Sequence, residues 1–309
     1  MSTPFKSVVA LSGGVGGARF VHGLYGALGG DALNVVVNTA DDFEHWGLWV
    51  CPDLDTVMYT LAEVSNPEQG WGLAGETFEA MGMMARLGGE SWFKLGDRDL
   101  ATHITRSSRL RAGESLTEVT ACMNKSLGVK CRILPMCDLP CQSRIETLEE
   151  GTLDFQEWFV RRQGKPALRR VFFEGETTAS PQVLQRLEEA DLIVLTPSNP
   201  YVSIDPVLSL KGVREILERK RVVGVSPIVE GRAVKGPLGA MIPALTGKAP
   251  SASVIVEHYG TLLDAMVTET GDHTSITSLP VLGTNTIMGG RQDRERLARE
   301  VLEFAETLR

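Results

Sequence analysis

Apolar and polar positions alternate along the chain in two textures. Short, nearly continuous apolar runs rich in β-branched residues occur at 7–12 (SVVALS), 33–38 (LNVVVN), 131–135 (CRILP), 191–196 (DLIVLT), 221–225 (RVVGV) and 279–283 (LPVLG). Runs of that length without polar alternation predict strands covered on both faces, as in a parallel sheet. Between them, helical spacing runs over 17–28, 181–190, 211–219 and 290–308, the last opening at Gly289-Gly290. This order predicts an α/β fold, a Rossmann-like doubly wound and mainly parallel sheet with right-handed crossovers. A mostly helical insertion is expected at about 56–128. Residues 143–173, with "DFQEWFV" and "RRVFFEG", read as a less regular β segment. No long linker, low-complexity tract or repeat divides the chain, so 1–309 is expected to be one domain.

Composition narrows the partners. The chain is 43% apolar and 23% charged, ordinary for a globular protein. No apolar stretch approaches the roughly 18 residues of a membrane span, and Met-Ser-Thr-Pro-Phe-Lys lacks the apolar core of a signal peptide. A cytoplasmic protein with no membrane partner is the expectation. A net charge of −8 argues against a nucleic-acid surface, but not against a small anion held by local contacts. The five cysteines, Cys51, Cys122, Cys131, Cys137 and Cys141, lack the spacing of a zinc site and read as buried or inert thiols.

Candidate chemistry gathers in four stretches. "ALSGGVGGARF", 10–20, follows the first strand and places Gly13, Gly14, Gly16 and Gly17 where a helix begins. Strand, glycines and helix together aim free N–H groups at an anion, and the helix terminus adds about half a positive charge. Arg19, one turn further, adds a guanidinium. No Lys-Ser or Lys-Thr closes the loop as in a P-loop, and Arg19 stands where a dinucleotide fold wants a small residue. The second stretch, 35–61, ends a strand at Asn38 and then supplies Asp41, Asp42, Asp53 and Asp55. Carboxylates beside a phosphate loop repel the phosphate unless a cation intervenes, and Mg²⁺ suits one or two carboxylates plus phosphate oxygens. Asp41 and Asp42 therefore read as metal or ribose contacts, whereas Asp53 or Asp55 can equally cap the helix starting near Thr56. The third, "WFKLGDRDLATHITRS", 92–107, crowds Lys94, Asp97, Arg98, Asp99, His103 and Arg106 behind two aromatics, a ligand-facing rim. The fourth, "PSNPYVSIDP", 197–206, places Ser198 and Asn199 in a proline-bracketed turn at a strand's carboxyl end.

Taken in order, "LSGGVGGARF", "NTADDFEHWGLWVCPDLDTVMYTL", "WGLAGETF", "LGDRDLATHITRS", "ILPMCD", "DFQEWFV", "PSNPYVSIDPVLSL" and "VSPIVEGRAVKGP" closely resemble the 2-phospho-L-lactate transferase family of coenzyme F-420 biosynthesis. The resemblance implies a Mg²⁺-dependent, typically dimeric transferase with a Rossmann-like fold. It moves a phosphoacid (2-phospholactate, phosphoenolpyruvate or 3-phosphoglycerate type) from a GDP-activated donor to the ribityl hydroxyl of the deazaflavin Fo, releasing GMP. By motif, Asp41 falls on a magnesium-binding carboxylate, with Asp42 beside it. Asp55 and Lys94 fall on Fo-binding positions, and Arg98 of the same stretch is grouped with them. The glycine loop, Arg19, Ser198 and Asn199 are assigned to the donor's phosphates and nucleotide, and Asp41, Asp55 and Arg19 to catalysis. Asp205, Cys137 and Ala240 depart from the family's pattern in ways expected to alter the donor pocket. Two other functions fit parts of the pattern: an NAD(P)-dependent oxidoreductase with Asp41 on a ribose, and a non-catalytic nucleotide-sugar-binding regulator.

Overall fold

The structure, a computed structural model, describes residues 4–308. Seven strands form the central sheet: β1 (Val8–Ser12), β2 (Leu33–Val37), β3 (Arg132–Pro135), β4 (Leu192–Leu195), β5 (Val222–Val225), β6 (Ala265–Glu269) and β7 (Val281–Thr284). Their spatial order is β7-β6-β5-β4-β1-β2-β3, and every pairing is parallel. The winding reverses between β1 and β4, and ligands of such folds bind in the crevice that this reversal leaves at the strands' carboxyl ends.

Alternate residues of each strand feed opposite cores, which is why the runs are apolar without a break. Val9 and Leu11 of β1, Ile193 and Leu195 of β4 and Met266 of β6 enter one core. Val8 and Ala10, Leu192 and Val194, Ala265 and Val267 enter the other. The second core is closed by helices α1 (Gly14–Leu28), α2 (Pro52–Leu61) and the C-terminal helix Arg291–Thr307. The first lies beneath Pro181–Glu189, Leu238–Thr246 and Ala252–Tyr259.

Several elements differ from the sequence reading, among them the helices Leu238–Thr246 and Ala252–Tyr259, which it did not mark. β6 stands between β5 and β7 and was not anticipated. Asp264 interrupts its apolar run, and that side chain accepts the Val222 backbone N–H at 2.7 Å. "DFQEWFV" is not extended beyond Asp154, since a wide helical turn spans Glu157–Arg161. Phe155, Trp158 and Phe159 have helical spacing, and Phe155 stacks on Phe159 with ring centroids 5.6 Å apart. "RRVFFEG" does form a strand, Leu168–Gly175, in a separate antiparallel sheet with Cys141–Thr147 and Thr152–Asp154.

Between β2 and β3 lie a small hairpin (Phe43–His45 with Leu48–Val50), α2, α3 (Glu79–Arg86), α4 (Asp97–Arg111) and α5 (Leu116–Ser126). The hairpin turns at Trp46 and Gly47, both at positive φ (53° and 71°), the twist that a two-residue connection requires. It brings Phe43 against Phe93, centroids 4.8 Å apart, so that an aromatic cluster stands beside the crevice. No described helix is long and apolar enough to cross a membrane.

Helix α1 and the C-terminal helix approach so closely at Gly23 that a Cβ there would sit 2.1 Å from the Arg294 carbonyl oxygen, a backbone atom that cannot step aside. Gly23→Ala should therefore destabilise the fold by about 1–3 kcal/mol, the usual cost of overpacking. Thermal denaturation should show a lower midpoint, while turnover per folded molecule stays at the wild-type value.

Candidate functional site

A cavity of about 730 Å³ opens at the carboxyl edge of the sheet, across the β1/β4 reversal. Its centre is the glycine loop. Gly14 takes φ of 62°, the left-handed region that glycine tolerates, as the chain turns from β1 into α1. The neighbouring glycines serve close approach. A Cβ on Gly16 would lie 2.6 Å from the Pro197 carbonyl, and one on Gly17 would lie 2.3 Å from Ser198 Oγ. Ser198 locks the loop to the turn after β4. Its hydroxyl donates to the Gly13 carbonyl (2.7 Å) and accepts the Gly13 N–H (3.1 Å).

Below the loop, one amide gathers the acids. Asn38 Nδ2, fully buried at the end of β2, lies 3.1 Å from Asp41 Oδ2, 3.0 Å from Asp53 Oδ2 and 3.1 Å from the Val202 carbonyl. Asp53 Oδ1 also accepts the Gly14 N–H at 2.8 Å. Burial pushes Asp53 up to about 6. Burial, and then the charge of Asp53, pushes Asp41 well above the usual carboxylate range. Asp41 Oδ1 is buried without a hydrogen-bond partner that meets the geometry, although the Ser143 hydroxyl lies close enough to favour the charged form of this carboxyl. Asp42 is likewise pushed up by burial, but it is not part of the cavity wall. Among the described residues no cluster of three or more His, Cys, Asp or Glu side chains forms a ready-made metal cage. The arrangement fits a cation that takes one or two carboxylates and completes its shell from water or ligand.

On the insertion side the wall carries a buried polar chain. Arg106, 2% exposed, donates to Asp55 Oδ2 at 3.1 Å and also to Asp55 Oδ1, a bidentate pair in the interior. His103 Nδ1 lies 3.3 Å from Arg106 Nη1, and its Nε2 lies 3.4 Å from Asp99 Oδ2. The Tyr59 hydroxyl donates to Asp99 at 2.6 Å. Helix α4 supplies Asp99, His103 and Arg106 from one face at i, i+4 and i+7; α2 supplies Asp55 and Tyr59 at i, i+4. Trp92, Phe93 and Phe159 line the same wing with Lys94, whose Nζ sits 4.1 Å from the centre of the Phe78 ring. The opposite wing is formed by segments after β5 and β7, among them Ser226, Pro227, Lys235, Thr286 and Met288.

Most residues singled out from sequence share this one cavity: Gly13, Gly14, Gly16, Arg19, Asp41, Asp55, Lys94, Ser198 and Asn199. Gly17 packs under the loop, Asp42 lies behind the wall, and Arg98 donates to the Ala74 carbonyl (2.6 Å) outside the lining. The departures from the family pattern do not touch the cavity, contrary to expectation. Asp205 pairs with His258 Nε2 at 2.9 Å, Cys137 is buried beside Thr39, and Ala240 is on an exposed helix face. Sequence reasoning missed Asn38, Lys235 and the part of Asp53 in the acid pair. A polar side chain closing an apolar run at the sheet's carboxyl edge was the available signal for Asn38.

Residues 8–288 match the family described as 2-phospho-L-lactate transferase CofD. The chain is 39% identical to a 2-phospho-L-lactate transferase of Methanosarcina mazei, over 96% of this chain and 99% of that protein. It is 40% identical to a phosphoenolpyruvate transferase of Kitasatospora aureofaciens, over 98% of each. Among solved structures, a Bacillus halodurans protein of the UPF0052 family superposes with a TM-score of 0.62 at 16% identity, covering 98% of this chain and 99% of that one. The last likeness speaks for the fold alone. The family match and the two near-full-length relatives go further: this chain belongs to the 2-phospho-L-lactate transferase family.

Proposed function

We propose that this protein transfers a phosphoacid from a guanosine-diphosphate-activated donor to the terminal ribityl hydroxyl of the deazaflavin Fo, releasing GMP, in coenzyme F-420 biosynthesis. The observation that carries this reading is a single cavity with two unlike wings that meet at a glycine loop and a carboxylate pair. An in-line displacement suits such a layout, because the acceptor's hydroxyl must approach the donor's phosphorus from the side opposite the departing GMP. The family match and the names of both relatives support it.

The aromatic wing suits a flat ring: Trp92, Phe93 and Phe159 offer apolar surface, and Lys94 and Asp55 offer one charge of each sign. Arg106 fixes both oxygens of Asp55, whose remaining lone pairs can accept from a ribityl hydroxyl. The wing after β5 and β7 takes the nucleotide, and α1 presents its N-terminus and Arg19 to the diphosphate. Asp41 and Asp53 are the residues that would hold Mg²⁺, which when bound neutralises charge on the diphosphate. Asn38 holds both carboxylates on one amide, and Asp41 Oδ1 supplies the open acceptor. The acid on the donor is not set by likeness, because the lactate-type and enolpyruvate-type relatives are almost equally similar. The family resemblance also supports a cytoplasmic homodimer, to be checked by light scattering of the purified protein.

Three measurements bear on this reading. Product mass spectrometry with Fo and each activated acid in turn should show one F-420 precursor and GMP. Formation of neither from any donor would overturn it. Asp41→Asn should cut turnover by about 10²–10³, the usual loss when an electrostatic contact to a transition state is removed. Its melting temperature should not fall, because a buried, repelled carboxylate becomes a neutral amide. Calorimetry should show weakened Mg²⁺ binding, and wild-type Mg²⁺ affinity in this variant would remove Asp41 from the metal.

On the acceptor side, Lys94→Ala should weaken Fo about tenfold by fluorescence titration and leave GDP within about threefold, a difference near 1 kcal/mol. Asp55→Glu, which keeps a carboxylate for the buried Arg106 while shifting its oxygens, is the matching probe. Asp55→Ala would strand a buried guanidinium, at a cost of about 3–5 kcal/mol in stability, and confound the result. Equal loss of Fo and GDP in both variants would take these residues out of the acceptor wing.

A further inference from the structure

Three cations stand around the first turns of α1 with no carboxylate shared among them. Arg19 lines the cavity and has no hydrogen bond or ion pair among the described residues. Lys235 follows the hairpin Ile228–Val229/Arg232–Ala233 and crosses the cavity mouth from the nucleotide wing. It donates to the Gln69 carbonyl at 3.1 Å, a neutral acceptor on the opposite wall. Arg294, on the helix packed against α1 at Gly23, has its Nε buried without a partner. Burial, and then the charge of Arg19, holds Lys235 and Arg294 below their usual ranges. The charge of Glu63 offsets part of that of Arg294, and the same carboxylate is also engaged by His22 and Arg291. Like charges gathered with no ion pair of their own are costly unless a ligand brings a counter-charge.

The glycine loop shows why the cations are needed. Two of its N–H groups are turned inward, Gly13 to Ser198 Oγ and Gly14 to Asp53 Oδ1. The loop therefore offers an incoming phosphate fewer amides than its glycine count suggests. Asp53 and Asp41 also stand beside it as negative charge. A second phosphate group arriving there requires cations from the solvent side of the loop, and that is where Arg19 and Lys235 are.

We propose that Arg19 and Lys235, with Arg294 behind Arg19, clamp the second phosphate of the nucleoside-diphosphate donor, the phosphorus that is transferred. The proposal rests on the donor assigned above and adds to it the residues that distinguish a diphosphate from a monophosphate. Lys235 exchanges the Gln69 carbonyl for a phosphate oxygen when the donor binds and loses that partner when GMP, lacking the second phosphate, remains. Donor is then held more tightly than the leaving product.

Calorimetric titration of GDP, GMP and inorganic pyrophosphate into wild type, Lys235→Ala and Lys235→Arg tests this. Lys235 is exposed, so its variants should melt as wild type does. Lys235→Ala should bind GDP and pyrophosphate at least tenfold more weakly and GMP within about threefold, about the loss of one charge-assisted contact. Lys235→Arg should recover most of the difference. Arg294→Gln should show the same selectivity more weakly. Equal losses for GDP and GMP, or no loss for either, would overturn the clamp. If wild type binds neither guanine nucleotide but binds pyrophosphate through Lys235, the clamp stands and the guanosine donor falls.

Discussion

The arrangement of this site follows from one electrostatic conflict: acids are buried beside a loop built to hold an anion. Asp41 and Asp53 share the amide of Asn38, and burial works against the charge of both. Without a cation their repulsion would be added to that of any phosphate at α1. Each other feature of the cavity answers that conflict. One carboxylate oxygen of Asp41 is left open, cations gather around the loop, and on the insertion side the carboxylate of Asp55 is already balanced by Arg106. A site of this kind is stable only at a cost to the apoprotein, and such strain is commonly retained where function requires it.

The sheet delivers these groups to one place. Because β1 and β4 are adjacent but wind in opposite senses, the loops after them are pushed together, and Ser198 can reach Gly13 across the join. The insertion after β2 and the turn after β3 then build one wing, while the connections after β5 and β7 build the other. The two wings of the cavity are thus separated by topology before any side chain is chosen. The central crevice is common to this fold class; the insertion is what gives it an aromatic second wing.

Much of this was legible in the sequence because local patterns carry it. Continuous β-branched runs marked six of the seven central strands, and the glycine loop was readable because strand, glycines and helix are consecutive. The exceptions have physical reasons. β6 was hidden by Asp264, a residue whose purpose is to cap the backbone of a neighbouring strand. The turn containing Phe155 and Phe159 was misread because aromatic residues favour strands by type, whereas their i, i+3, i+4 spacing is that of a helix. The family resemblance brought Asp55 and Lys94 into view, but no local pattern joins Asp55 to Arg106, 51 positions away. Lys235 looked like any loop lysine until the loop was seen to cross the mouth of the cavity.

The bond between Ser198 and the glycine loop bears on how the chain is made. Gly13 and Ser198 are 185 residues apart, and the loop's other fixed contact, to Asp53, is a further inward one. A ribosome delivers the loop first and its lock much later, at about 5–20 residues per second. For roughly ten seconds or more, then, the emerging chain carries a glycine turn that only the nearer contact, to Asp53, can hold. The glycine loop is written into the first twenty residues, but it cannot take its place in the cavity until nearly two-thirds of the polypeptide has been synthesised.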